Sequence, residues 1–176
     1  MRKPRLVLLL SSLAISLALI STACSKQASP SYKSSIQTAL DQADLKDIRV
    51  SEDVDNNTIT LTGTLHSDDA KQRATDIAKA NAGNRIVVNQ VSVEPVGAES
   101  EAKDIASNVD DGIENNYKAA LISKGLNKQD IHFDAKNGIL ILKGKVKTPE
   151  VRKEAQQLAE ATPNVQQVLN QIEIKR

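Results

Sequence analysis

The sequence contains little of what catalysis or metal binding requires: it has one cysteine, two histidines and no glycine-rich phosphate loop in 176 residues. A single cysteine excludes an intramolecular disulfide. Neither His66 nor His132 has a nucleophile or a second metal ligand at a sequence spacing that is typical of a catalytic or metal site. The net charge of +1 gives no general attraction to nucleic acid. We therefore expect no catalytic residue, metal, cofactor or nucleic-acid partner.

The first 23 residues have the pattern of a secretory signal peptide. Arg2, Lys3 and Arg5 precede an apolar run of 15 residues, which is shorter than the roughly 20 residues that a membrane span needs. Small residues follow at 21–23. Removal of residues 1–23 would change the net charge from +1 to −2.

Cys24 directly follows this signal, and the arrangement resembles the lipobox of bacterial lipoproteins, in which that cysteine is acylated. Ser21 stands where the family prefers Leu, Val or Ile. The resemblance implies an anchored protein with residues 24–31 as a tether, facing the periplasm from the outer membrane. The alternative is ordinary cleavage that releases a soluble periplasmic protein with a free thiol.

The rest of the chain consists of one small domain used twice. Residues 56–93 align with residues 137–174 at an offset of 81, and nine of the 38 positions are identical. We expect a first domain at 32–94, an acidic and partly helical linker at 95–107 and a second domain at 108–176. Domains of this size are marginally stable alone, so contact between the copies is expected to stabilise both.

Within each copy the periodicity predicts the order α-β-β-α-β. Thr58–Leu65 alternates apolar and polar residues, as a half-buried strand does, and the helices carry apolar residues at i, i+3 and i+4. Asp110 and Asp111 are interpreted as the cap of the helix that opens the second copy. A right-handed crossover makes the second and third strands parallel. The predicted fold class is α+β: two tandem domains, each a three-stranded mixed sheet with two helices on one face.

Two sequence elements occur in the same order in both copies. The first is a strand with glycine, Ile59-Thr60-Leu61-Thr62-Gly63 and Leu140-Ile141-Leu142-Lys143-Gly144. The second is Val87-Val88-Asn89-Gln90-Val91 and Val168-Leu169-Asn170-Gln171-Ile172. This arrangement resembles the BON domain, a bacterial envelope module. The resemblance implies tandem modules that bind phospholipid or another envelope surface. We interpret Gly63 and Gly144 as positions where a helix packs closely.

The two copies differ most in charge. Residues 32–94 carry seven basic and ten acidic side chains, whereas residues 113–176 carry eleven basic and seven acidic ones. Three of the basic residues occupy alternate strand positions, Lys143, Lys145 and Lys147, where the first copy has Thr62, Thr64 and His66. A two-residue period places the ammonium groups about 7 Å apart on one side. Such a stripe suits anionic lipid headgroups. The alternative is an edge strand protected by lysine.

Ile122 is the second candidate contact with lipid. It lies outside the apolar stripe of its predicted helix, between Lys118 and Lys124, and the first copy has Asp41 at the same position. An apolar residue flanked by lysines can insert between headgroups while the lysines contact phosphates. The alternative is that Ile122 packs against the other copy.

We therefore predict a non-catalytic envelope lipoprotein that binds phospholipid or a membrane surface and supports envelope integrity or stress tolerance. The alternative function is a periplasmic adaptor or assembly component that binds a protein partner. A third hypothesis, an envelope hydrolase, requires reactive side chains to converge in a pocket.

Overall fold

The computed structural model describes residues 31–175. The predicted signal peptide, Cys24 and nearly all of the predicted tether lie outside the described residues.

The first module has the predicted order of elements. They are α1 (Lys33–Gln42), β1 (Ile48–Asp53), β2 (Thr58–Leu65), α2 (Asp68–Asn81), β3 (Ile86–Asn89) and β4 (Ser92–Val93). β1 pairs with β2 antiparallel, and both β3 and β4 pair with β2 parallel. The predicted last strand is therefore two short segments separated by two residues.

The second module repeats this order. Its elements are α3 (Glu99–Ser123), β5 (Asp130–Lys136), β6 (Ile139–Val146), α4 (Pro149–Glu160), β7 (Gln167–Asn170) and β8 (Glu173–Ile174), with a 3-10 turn at Leu126–Lys128. β6 pairs with β5 antiparallel and with β7 and β8 parallel. The predicted α+β class is confirmed, and so is the mixed sheet of each module.

The core of each module lies between its helices and one sheet face. In the first module, Ile36 and Leu40 from α1 pack with Ala74 from α2 over Leu61 of β2, and all four are fully buried. In the second module the position of Ile36 is occupied by Tyr117, whose hydroxyl donates to the carbonyl of Ala155 at 3.1 Å. Burial raises the pKa of Tyr117 above its usual range.

The opening helix of the second module is much longer than we predicted. α3 begins at Glu99, so most of the stretch at 95–107 that we interpreted as a linker is helical. Glu99 and Glu101 lie in its first turn, where the helix dipole favours acids, and residues 99–109 contain no glycine or proline. Nothing in this stretch therefore stops the helix before the core positions begin.

Asp110 has a different role from the one predicted. The interpretation of Asp110 and Asp111 as a helix cap was wrong, because both lie inside α3. Asp110 instead accepts backbone N–H bonds from Asn137 at 2.7 Å and Gly138 at 2.9 Å. It therefore fixes the turn between β5 and β6 to the helix that crosses it.

The glycine of the first shared element is required by a neighbouring strand and not, as we had interpreted it, by a helix. Gly63 has φ +136° and Gly144 has φ +116°. A Cβ at Gly63 would collide with the carbonyl oxygen of Asp47, and one at Gly144 would collide with that of Asp130. The backbone of β1 or β5 approaches too closely at this point for any side chain.

The asparagine of the second shared element joins the last strand to a helix. Asn89 donates to the Lys71 carbonyl at 3.0 Å and to Thr75 Oγ1 at 2.7 Å, and it accepts from the Val91 N–H at 3.0 Å. Asn170 makes the corresponding bonds to α4 and Ile172. The asparagine thus satisfies backbone groups at the break between the two strand segments, which explains its presence in both copies.

The two modules pack against each other through the helix-free faces of their sheets. Val88, Ile139 and Leu169 form a buried cluster there, with Ile141 beside them. Val88 and Leu169 occupy equivalent positions of the two copies, so the copies meet through the same surface. Burying each such side chain stabilises by roughly 1.5–3 kcal/mol. The predicted contact between the copies therefore exists.

Polar bonds also cross between the modules. Asn137 donates to the Gln90 carbonyl at 2.9 Å and to Ser92 Oγ at 3.2 Å. Gln167 donates to the Val87 carbonyl at 3.1 Å. Because Asp110 holds the backbone of Asn137, α3, the β5–β6 turn and the first module are linked in one network.

Candidate functional site

The three predicted lysines lie at the end of the central strand of the second sheet. Lys143 and Lys145 belong to β6, which is flanked by β5 on one side and by β7 and β8 on the other. Lys147 follows the strand directly, and all three side chains are exposed. The alternative of lysines that protect an edge strand was wrong, because β6 has partners on both sides.

Carboxylates from the neighbouring strands accompany this lysine stripe. Lys145 Nζ lies 3.1 Å from a carboxylate oxygen of Glu173, and Lys175 Nζ lies 3.9 Å from Asp130. Within residues 31–175, Lys143 and Lys147 have no carboxylate within ion-pair distance. The stripe therefore offers two unpaired ammonium groups and not three.

Further basic residues reach the same end of the second module. β5 starts and β6 ends there, because Asp130 pairs with Lys145. α3 ends shortly before β5, and α4 begins shortly after β6. We call this the basic end. Its basic residues are Lys124, Lys128, Lys143, Lys145, Lys147, Arg152 and Lys175, against the acids Asp130, Glu150 and Glu173.

Ile122 lies at the basic end with an exposed fraction of 54%. It borders a cleft of about 250 Å³ between α3 and β5. The cleft is lined by Lys118, Leu121, Ile122, Leu126, Asn127, Gln129, Ile131 and Phe133. Lys124 is exposed at the C-terminal cap of α3 and does not line the cleft. The alternative that Ile122 packs against the first module was wrong, since its surroundings belong to the second module alone.

In the first module, one side chain bridges helix and strand at the place that is equivalent to the cleft. Gln37, the counterpart of Lys118, donates to the Ile48 carbonyl at 3.0 Å and accepts from the Val50 N–H at 3.3 Å. Asp41, the counterpart of Ile122, accepts from Gln37 at 3.1 Å. Gln37 and Asp41 thus bridge α1 and β1 with polar bonds. In the second module, Lys118 and Ile122 leave a cleft between α3 and β5.

The sequence patterns did not predict a buried ion pair in the first module. Arg85 Nε lies 2.8 Å from a carboxylate oxygen of Glu52, and the two side chains are 4% and 6% exposed. The other oxygen of Glu52 accepts from the Ser31 hydroxyl at 2.7 Å and from the Tyr32 N–H at 3.1 Å. The Ser31 hydrogen bond, backbone donors and the nearby guanidinium hold the pKa of Glu52 below its usual value. One signal was available: Glu52 follows Ile48 and Val50 at inward strand positions.

The two histidines do not converge. His66 Nδ1 lies 2.8 Å from the Glu94 carbonyl in the first module, and His132 lies 3.1 Å from Asp130 in the second. Among residues 31–175 no group of three or more His, Cys, Asp or Glu side chains could hold a metal ion. None of the helices in that range is long and apolar enough to cross a bilayer.

Comparison with protein families assigns both modules. The model of the BON domain matches residues 31–95 and 101–176. The chain belongs to the BON domain family. BON domains are associated with membrane and phospholipid binding and with envelope proteins, and the family is non-catalytic.

Other comparisons add little. No curated protein matches this BON-domain chain. Two solved structures of CdsD, a structural protein of the Type III secretion system of Chlamydia trachomatis, show distant similarity. The C-terminal domain of CdsD is 14% identical, with 81% of this chain and 67% of that chain covered and a TM-score of 0.32. The second CdsD structure is 13% identical, with 82% and 61% covered and a TM-score of 0.33.

Proposed function

We propose that the protein is a non-catalytic envelope lipoprotein whose second module binds anionic phospholipid through its basic end. The observation that carries this proposal is the exposed Ile122 beside Lys118 at an apolar cleft, at a place where polar bonds link helix and strand in the first module. Association of the BON family with phospholipid supports it.

The energetics favour a weak contact that an anchor strengthens. Each lysine near an anionic surface contributes roughly 1 kcal/mol, and burial of one isoleucine contributes roughly 2 kcal/mol. These contributions give transient binding by themselves. Acylation of Cys24 would hold the module at the bilayer and raise its effective concentration there. We place the protein at the outer membrane facing the periplasm, where it supports envelope integrity or stress tolerance.

Vesicle binding by the mature chain with Cys24→Ser tests the role of the basic end. The variant Ile122→Ser, Lys143→Ser, Lys147→Ser should lose binding to vesicles that contain phosphatidylglycerol. A matched control, Lys46→Ser with Lys79→Ser, removes two exposed lysines of the first module and should bind as the parent does. Equal binding by the basic-end variant and the parent would overturn the proposal.

The second candidate function, a protein adaptor, is favoured by a different observation. Ile105 and Val109 on the first half of α3 are 64% and 37% exposed, one turn apart on one side of the helix. Capture of a stoichiometric envelope protein that Ile105→Ser abolishes, without vesicle binding by the parent, would favour the adaptor.

A further inference from the structure

Two grooves open between the modules, at equivalent places of the repeat. The larger one, the basic groove, encloses about 1100 Å³ and is lined by Asn57, Ile86, Lys145, Arg152, Ile174 and Lys175. The smaller one, the acidic groove, encloses about 430 Å³ and includes Asp68, Asp69 and Lys71. Arg152 and Lys71 are counterparts at the offset of 81. Each groove thus serves as an internal comparison for the other.

The charges of the two grooves have opposite signs. Asp55 and Glu173 also line the basic groove, so its three basic side chains leave a net charge of +1. Two acids and one lysine give the acidic groove a net charge of −1. Burial lowers the pKa of Lys71 from its usual value, whereas Asp68 and Asp110 act in the opposite direction. An anionic ligand is therefore directed to the basic groove.

Exposed apolar side chains distinguish the basic groove as well. Ile86 is 46% exposed and Ile174 is 41% exposed, and they stand on opposite modules across the groove. The counterpart of Ile86 in the acidic groove is Gln167, which donates to the first module. Charged and apolar groups together suit an amphiphile better than a free anion.

The basic groove also lies near Ser31, the first described residue after the predicted lipidation site. Ser31 donates to Glu52, Glu52 pairs with Arg85, and Arg85 donates to Asn57 at 3.2 Å, a residue of the groove wall. The Arg85 guanidinium also lies 5.5 Å from the Tyr32 ring centre. Cys24 precedes Ser31 by seven residues, which span at most ~25 Å when fully extended.

We propose that the basic groove binds the glycerophosphate headgroup of an anionic phospholipid from the membrane that holds Cys24. Arg152 and Lys175 contact the phosphate, and Ile86 and Ile174 contact the first methylenes of the acyl chains. This inference rests on the proposed membrane function, but it concerns a second site. The groove shares Lys145, Arg152 and Lys175 with the basic end and is completed by Asn57 and Ile86 of the first module.

Titration of the mature Cys24→Ser chain with short-chain phosphatidylglycerol, kept below its micelle concentration, tests the groove. Amide shifts in an NMR spectrum should map to Asn57, Ile86 and Ile174. Arg152→Gln with Lys175→Gln should weaken this binding at least tenfold. Lys71→Gln removes the counterpart charge from the acidic groove and should leave the affinity unchanged.

The outcomes separate the groove from the basic end. If the variant Ile122→Ser, Lys143→Ser, Lys147→Ser loses vesicle binding but keeps the groove shifts, the groove binds lipid without these three side chains. Absence of groove shifts in a parent chain that binds vesicles overturns the groove alone. Equal shifts with inorganic phosphate also overturn it, since they show an anion site without lipid recognition. The groove proposal is also overturned if Lys71→Gln weakens binding of phosphatidylglycerol as much as Arg152→Gln with Lys175→Gln does.

Discussion

The two modules share one backbone but fill three equivalent positions differently. Glu52 in the first module corresponds to Phe133 in the second, and Arg85 corresponds to Gln166. The first module buries an ion pair there, whereas Phe133 packs edge-on against Tyr117 at 5.0 Å between ring centres. Gln37 corresponds to Lys118, so the first module is closed at the place where the second has a cleft. Copies of one scaffold therefore differ in core chemistry and in surface shape through a few side chains.

The largest effect is expected from breaking the ion pair of the first module. Glu52→Gln leaves the buried Arg85 guanidinium without its counter-charge and should reduce the free energy of unfolding by roughly 3 kcal/mol. Urea denaturation at pH 7 measures the loss. As a matched variant, Glu52→Phe with Arg85→Gln introduces the residues of the second module and should recover part of the stability. A loss below about 1 kcal/mol for Glu52→Gln would show that the pair contributes little.

The pH dependence of stability should follow from the same residue. The hydroxyl of Ser31 is the largest cause of the lowered pKa of Glu52. Because the folded-state pKa lies below the unfolded value of about 4.3, the contribution is complete above about pH 5. It is lost as the pH falls through the folded-state value. Denaturation midpoints between pH 6 and pH 2 should fall less steeply for Ser31→Ala, and an unchanged slope would contradict this account.

Replacing the cleft residues of the second module by their counterparts from the first module tests whether the cleft contacts lipid. Lys118→Gln with Ile122→Asp gives the second module the side chains that close the first. The binding free energy to vesicles should weaken by about 3 kcal/mol, which is roughly 150-fold in affinity, since a lysine and an insertable isoleucine are lost. Stability should change by less than about 0.5 kcal/mol, because both are surface positions. The reverse exchange, Gln37→Lys with Asp41→Ile, shows whether the cleft alone confers binding. Unchanged affinity in the first variant would exclude the cleft from lipid contact.

The smallest of these effects is expected at Tyr117. Its counterpart in the first module, Ile36, has no polar side-chain atom and makes no side-chain hydrogen bond at this position. Tyr117→Phe removes the hydrogen bond to the Ala155 carbonyl and keeps the ring contact with Phe133. The expected loss is about 1 kcal/mol, measured by thermal and urea unfolding. No loss would mean that water replaces the hydroxyl at Ala155.

Much of the fold was predictable because it depends on local patterns. Alternation placed β2 and β6, the helical period placed Ile36 and Leu40 in the core, and the crossover rule gave the parallel pairing. The start of α3 was missed because its first turns have helix-forming residues but few core positions. The cleft was also missed, since it is lined by residues of α3, the 3-10 turn and β5, which are brought together only by folding. β6 is a central strand because it pairs with β5 on one side and with β7 and β8 on the other. Its lysines therefore do not protect a sheet edge.

By itself, the sequence determined that one α-β-β-α-β module occurs twice and that basic charge belongs to the second copy. Periodicity and repetition are properties of the chain, and they persist whatever the copies contact. Only the tertiary structure decided where that charge lies on the surface. Packing of Val88 against Leu169 sets the modules face to face, opens grooves of opposite charge and leaves the basic end outward. These features arise between segments distant in the chain, so no local pattern encodes them.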